Sequence, residues 1–185
     1  MNKKIIGLII ILIIVCAVAV GVYFLTPHYK TFSDENIQVE IPSDVNFVVN
    51  ETTSEGVKTL AYIPNLANET EISIFDMIPT LINPSGMLKA DSTSINLISV
   101  DSSVSYAQEI YSYSKSGIKE SFSGFETVDG SQYNYNGTIY NTTNQTATIP
   151  VYIIPIFDDD TKTIALLLST DLGTVVHMAE TFKIK

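Results

Sequence analysis

Catalysis by a protein side chain starts from a nucleophile or base in a perturbed environment, and this chain offers few candidates. It has two histidines, His28 and His177, one cysteine, Cys16, and no arginine. A serine–histidine–carboxylate arrangement would have to use one of those histidines. His177 stands between Val176 and Met178 on the flank of an apolar stripe, where a boundary residue is the simpler reading. Ser112-x-x-Lys115 and Ser116-x-x-Lys119 match the serine–lysine pattern of penicillin-binding enzymes, but both fall inside a predicted helix and the companion Lys-Thr-Gly is missing. Without arginine there is no bidentate clamp for phosphate or carboxylate, and no Gly-rich loop for phosphoryl transfer is present. Asp158-Asp159-Asp160 supplies the oxygens that calcium prefers, yet the spacing is not that of an EF-hand and three acids at a hairpin tip read as a solvated turn. The expectation is a non-enzymatic chain with no catalytic, cofactor-binding or metal-binding residues. The alternative is an envelope hydrolase or carbohydrate-active enzyme whose carboxylates only the fold brings together.

The element that positions all of this is N-terminal. Residues 5–25 carry no charge and follow Lys3 and Lys4 directly. At ~1.5 Å rise per residue such a helix reaches about 31 Å, the thickness of a bilayer core. The two lysines favour the cytoplasmic side, which sends the remainder of the chain outward. Ala17-Val18-Ala19 offers a signal peptidase site, but the apolar run continues beyond it, past the roughly 7 to 15 residues of a signal h-region. Val15 precedes Cys16 where a lipid-modified cysteine takes a small residue, so Cys16 reads as a small apolar residue within the membrane. Ala17 and Gly21 have the spacing that lets two membrane helices approach closely. The expected organisation is a cytoplasmic stub, transmembrane signal-anchor and juxtamembrane segment over 1–30, then one extracytoplasmic domain over 31–185, in a single-pass protein of the cell membrane.

That domain carries seven lysines against twenty carboxylates, and seven minus twenty gives −13. Such a surface repels nucleic acid, whose phosphates are bound by clustered Lys and Arg. The partners expected are the membrane, through residues 5–25, and an unknown protein or small ligand. With Cys16 in the bilayer no disulfide staples the outer domain, and thiolate chemistry is removed as well. Five Asn-x-Thr sequons, at Asn50, Asn68, Asn136, Asn141 and Asn144, lie on the exported side and are the possible N-glycosylation sites. A structural cell-surface glycoprotein is therefore a further reading.

Apolar alternation predicts strands over 32–42, with Ile37, Val39 and Ile41 on one face, and over 47–49, 57–63, 71–75 and 94–100, with a turn at Asn83-Pro84-Ser85-Gly86. From Ser102 the period lengthens. Val104, Ala107, Tyr111, Ile118 and Phe122 form one helical stripe, with Asp101 or Ser103 as N-cap, Gly124 as stop and a possible kink at Gly117. Tyr106, Tyr111 and Tyr113 on it are either a stacking platform for sugars or core. A strand follows over 132–140, with Tyr133, Tyr135 and Ile139 on one face, then a hairpin of 149–157 and 162–169 across the three aspartates. Ile164 to Leu168 is apolar throughout, as expected of a central strand covered on both faces. Pro150 and Pro155 assign the preceding strand to an edge or a bulge. A final helix over 172–182 presents Leu172, Val175, Val176, Ala179 and Phe182, and ends in Lys183 to Lys185, which suit its dipole.

Two passages carry a family likeness. Phe32-Ser33-Asp34-Glu35-Asn36-Ile37-Gln38-Val39-Glu40-Ile41-Pro42-Ser43 resembles the first hairpin of the PsbP family, and Val175-Val176-His177-Met178-Ala179-Glu180-Thr181-Phe182-Lys183 is similar to its terminal helix. The order of strands, helix, strands, helix between them extends the resemblance over nearly the whole outer domain. It implies a PsbP-like α+β fold, an antiparallel sheet flanked by helices in an α/β/α arrangement, and members that act as accessory, assembly or binding proteins without catalysis. It transfers no functional residue to this chain.

Overall fold

The computed structural model describes residues 28–65, 93–145 and 150–185. The uncharged run at 5–25, the strand expected over 71–75, the turn at 83–86 and the sequon at Asn68 lie outside those residues. No helix among the described residues is long and apolar enough to cross a membrane.

The stretch expected as one strand over 32–42 is a hairpin of β1 (Tyr29–Ser33) and β2 (Ile37–Pro42). Asp34 makes the break, because its Oδ1 accepts the N–H groups of Asn36 and Ile37 at 2.8 and 2.9 Å and so folds the backbone into an Asx-type turn. The alternation beyond it holds, with Ile37, Val39 and Ile41 fully buried. β3 (Phe47–Ser54) is longer than the 47–49 signal and pairs with β4 (Val57–Pro64) along its whole length. Glu55 and Gly56 join them, both at positive φ (49° and 78°), the conformation of a two-residue turn whose twist matches that of the strands. Gly56 is required there twice over, since a Cβ would also collide with Val104.

β5 (Thr93–Val100) follows, then α1 (Ala107–Ser121). The helix starts later than expected. Asp101 Oδ1 accepts the N–H of Ser103 at 2.8 Å, and 101–106 is spent in successive turns, so the N-cap is Tyr106, without a side-chain cap, in place of Asp101 or Ser103. Gly117 sits inside α1 without ending it. β6 (Glu126–Asp129) and β7 (Thr138–Asn141) pair across residues 130–137, most of the stretch expected as strand. Asn134 adopts a left-handed φ of 61° after a 3-10 turn at Gly130–Tyr133, and the Tyr135 ring lies against Gly130 and Gly137, where a Cβ would come within 2.6 Å of it. Tyrosine spacing mimicked strand alternation, but the two glycines and a left-handed asparagine permit a tight loop.

β8 (Tyr152–Asp158), β9 (Thr163–Ser169), α2 (Leu172–Thr181) and a short β10 (Lys183–Ile184) complete the chain. The hairpin and the covered central strand stand as expected: β9 lies between β5 and β8 with every residue buried. β8 is internal where β7 pairs with Tyr152 and Ile153, and edge-like beyond, where Pro155 falls and no ladder is formed on that side among the described residues. Lys183 and Ile184 leave the helix axis and pair with Gln38 and Ile37.

Among the described residues every pairing is antiparallel, in a seven-stranded sheet of order β3-β4-β5-β9-β8-β7-β6 and a three-stranded sheet of order β1-β2-β10. The period-2 alternation of β9 divides the core. Ala165 and Leu167 face one cluster with Ile37, Val39, Ile41, Tyr62, Val175 and Met178, while Ile164, Leu166 and Leu168 face another with Ala107, Tyr111, Phe122 and Ile153. The fold is α+β, with α2 and the small sheet on one side of the large sheet and α1 on the other.

Candidate functional site

Four polar features stand out among the described residues. The first is at the β8–β9 tip. Asp158 Oδ1 accepts the N–H groups of Asp160 and Thr161 at 2.9 and 3.1 Å, which closes the turn. Asp159 then projects toward α1, where Tyr111 Oη donates to it at 2.7 Å and Lys115 Nζ at 2.6 Å. Lys115 lies 5.5 and 5.3 Å from the Tyr111 and Phe157 ring centres, Lys119 5.4 Å from Phe157, and Lys162 5.8 Å from Tyr111. Lys115 and Tyr111 hold the Asp159 carboxyl below the usual carboxylate range, and burial followed by the Asp159 bond pushes the Tyr111 phenol up. Asp158 thus closes the turn and Asp159 clips it to the helix. Among the described residues no group of three or more His, Cys, Asp and Glu could hold a metal ion.

The second grouping joins the two sheets. Tyr62, itself without solvent exposure, donates from Oη to Asp34 Oδ2 at 2.9 Å. Burial alone would raise the Asp34 carboxyl, but the N–H groups of Ile37 and Asn36 with the Tyr62 hydroxyl bring it below its ordinary value. Burial followed by this carboxylate pushes the Tyr62 phenol up. Lys185 donates to Ser33 Oγ at 2.7 Å and to the Asp34 carbonyl, tying down the last residue.

The third pairs His177 Nε2 with Glu40 Oε2 at 2.8 Å, across 137 residues of sequence, beneath a stacked Tyr29 ring at 3.8 Å between centres. A histidine–carboxylate pair is the polarising part of a triad. Here the neighbouring hydroxyl, Thr181 Oγ1, donates to the His177 carbonyl at 2.9 Å and accepts the Glu40 N–H at 3.0 Å, so it is committed to the backbone. The Ser112/Lys115 and Ser116/Lys119 pairs lie along α1, where Ser112 Oγ accepts from Gln108 and Lys115 is spent on Asp159.

The fourth is a single atom. Asn96 Oδ1, on β5 between Ala61 and Leu166 in register, is a buried side-chain oxygen without a hydrogen-bond partner. Leaving such an acceptor unmatched costs about 1–3 kcal/mol.

The three tyrosines expected on the helix do not form a platform, since Tyr111 is 1% exposed in the core while Tyr106 and Tyr113 are 47% and 83% exposed. Of the sequons, Asn136 is exposed in the β6–β7 loop, Asn50 is half-buried on β3, and Asn141 Oδ1 accepts both the N–H and the hydroxyl of Thr143, at 3.0 and 2.6 Å. The side chain of Asn144 is outside the described residues. Sequence spacing gave no warning of Glu40–His177, Tyr62–Asp34 or Asn96, because each partner arrives from a distant strand or is missing altogether. Comparison with protein-family models, curated proteins and solved structures returns no match.

Proposed function

We propose that the chain is a membrane-anchored, extracytoplasmic, non-enzymatic binding or accessory module, held by a signal-anchor at residues 5–25. The observation that carries this reading is the uncharged run itself, which follows Lys3 and Lys4 and stops four residues before β1 begins at Tyr29. The described domain adds support: its Asp159, Asp34 and His177 groups are each engaged in bonds between structural elements. A helix on either side of an antiparallel sheet is also the arrangement that a PsbP-like domain implies, so we assign the finer fold to that type as part of the same proposal. Glycans at the sequons belong to it too.

Fractionation tests the anchor. The chain should stay with membranes through an alkaline carbonate wash, and protease added to intact cells should remove the domain. Release by carbonate, or protection from external protease, sinks the proposal. Intact mass of the native protein reads the sequons directly, with an unmodified mass removing the glycoprotein part.

A further inference from the structure

We infer that β3 forms a ladder with β3 of a second copy of this chain, antiparallel about a twofold axis at Asn50. Four strands end the two sheets among the described residues, and three of them carry the features that keep an edge from pairing. β10 has two residues, β6 has four and includes Glu126 and Asp129, and β1 has five and includes Lys30. β3 has eight residues without lysine or proline, and its register with β4 runs from Phe47 to Ser54 without a bulge. Six of its side chains are exposed, Val48 and Val49 at 41% each. No other large aliphatic side chain among the described residues is exposed.

The β3–β4 turn dictates which backbone groups look outward. A two-residue turn makes Ser54 and Val57 a hydrogen-bonded pair, and in an antiparallel ladder such pairs alternate with non-bonded ones. Ser54, Thr52, Asn50 and Val48 therefore bond to β4, and the Asn65 N–H on the Asn46 carbonyl, at 2.6 Å, keeps that alternation just beyond the strand. Phe47, Val49, Glu51 and Thr53 present their N–H and C=O groups to the open side. With Asn50 opposite Asn50 of the second copy, Phe47 falls opposite Thr53 and Val49 opposite Glu51, so every outward group on both strands finds a partner. An axis at Glu51 sets two carboxylates face to face, and an axis at Val49 runs Thr53 past the start of the other strand.

Charge permits this joint in a domain with seven lysines against twenty carboxylates. The one charge within β3 is Glu51, and its Oε2 lies 3.4 Å from Lys58 Nζ on the neighbouring strand. Opposite it stands Val49 of the second copy, with the other Glu51 on a diagonal about 7–8 Å away and beside its own lysine. At each end Lys30, held on Asn46 Oδ1 at 2.9 Å, comes with Asp44 toward Glu55 of the other copy, one cation for two carboxylates. The acids of the β1–β2 turn, Asp34 and Glu35, stand one strand in from the edge, where Asp34 meets Tyr62 and Lys185. This self-fit selects a second copy over an unrelated strand. At the axis the two Asn50 Cα atoms are about 4.5 Å apart, which leaves no room for a sugar. Asn50 is then the sequon left bare, whereas Asn136, in the loop beside the opposite edge of the sheet, keeps room for one.

Disulfide crosslinking reads the register, because non-bonded antiparallel pairs match the Cα separation of a disulfide. Asn50→Cys, Val48→Cys and Thr52→Cys are made singly in the full-length chain with Cys16→Ser, which removes the only native thiol, and oxidised with diamide in detergent. Asn50→Cys should form a crosslinked dimer several-fold faster than either other variant. Val48→Cys and Thr52→Cys mixed under reducing conditions and then oxidised should crosslink several-fold faster than each alone, because Val48 lies opposite Thr52. The mixture carries the test if Asn50→Cys does not fold. No gain in the mixture, or equal rates in every sample as in random collision, overturns the pairing. A glycan on the Asn50 peptide of the native protein overturns it as well.

Discussion

On one face of the seven-stranded sheet, α2 is ten residues long, is capped by Asp171 Oδ2 accepting the Thr174 N–H at 2.7 Å, and buries Thr174, Val175, Val176 and Met178. On the other, α1 is fifteen residues long, has no side-chain cap and buries only Ala107 and Tyr111. The shorter helix is the better anchored. α2 enters a core that it shares with the small sheet, whereas α1 is held chiefly by the Asp159 clip at Tyr111 and Lys115 and, just past its last turn, by Phe122, whose ring is tilted against Phe125 and Tyr140 at 5.3 and 4.9 Å. Helix length says little about attachment; the apolar area that a helix removes from water says more.

The sharpest test compares truncations toward each face. Leu167 is fully buried on the α2 side, and Leu167→Ala should lower the unfolding free energy by about 2–5 kcal/mol. Ile118 on α1 is half-buried at the margin of its cluster, and Ile118→Ala should lower it by about 1 kcal/mol. Urea unfolding of the isolated outer domain reads both. Equal losses would mean that the α1 side of the sheet is packed as firmly as the α2 side.

Capping separates the helices next. Asp171→Ala should cost about 1 kcal/mol, since it leaves an N–H of the first turn of α2 without an acceptor. Asp101→Ala should leave the helix content by circular dichroism unchanged, because Asp101 closes a turn six residues before α1 begins at Ala107. A drop in helix content would restore Asp101 as the cap that the sequence suggested.

That last contrast shows how far local pattern reached. Strands whose alternation is imposed by burial were legible: Ile37, Val39 and Ile41, the continuous run of β9, and the hairpin around it. The helices were legible from their apolar stripes, but their ends were not, because an aspartate followed by serines serves an Asx turn as well as an N-cap. Residues 130–137 misled for a related reason. Tyr133 and Tyr135 are spaced as in a strand, yet Tyr135 packs on two glycines of its own loop, a contact that depends on the missing Cβ atoms more than on hydrophobicity. The polar groupings were least visible, since Glu40 and His177 meet across the whole domain and neither lies in a motif.

Gly117 offers the opposite sign of effect. A Cβ built there meets nothing within 4 Å, and the position is interior to α1. Gly117→Ala should therefore stabilise the domain by about 0.5–1 kcal/mol, by restricting the unfolded chain and raising helix propensity. Thermal unfolding reads the gain. A loss would mean that something covers this stretch of α1 in solution, which would make the outer face of the weakly held helix an interface.

Each face also carries one tyrosine-to-aspartate bond, and these should respond differently to solution conditions. Asp34 is partly buried under Tyr62, whereas the Asp159 side chain is 70% exposed beside Tyr111 and Lys115. Both carboxyls are held below their ordinary value. A depressed carboxyl contributes stability above the unfolded-state value near pH 4, and that contribution is lost as pH falls through the lower folded-state value. Both bonds therefore support the fold at neutral pH and fail in acid. They separate in salt. An exposed ion pair is screened over about 3 Å at 1 M ionic strength, so Asp159→Asn should shift the urea midpoint slightly at low salt and not at all in 1 M sodium chloride. Tyr62→Phe removes a bond to a charged acceptor from a site where water does not replace it, and should lower the midpoint equally at both salt concentrations. If salt rescued the Tyr62 variant as well, the Asp34 site would be as open to solvent as the hairpin tip, and the two faces would differ in packing but not in electrostatics.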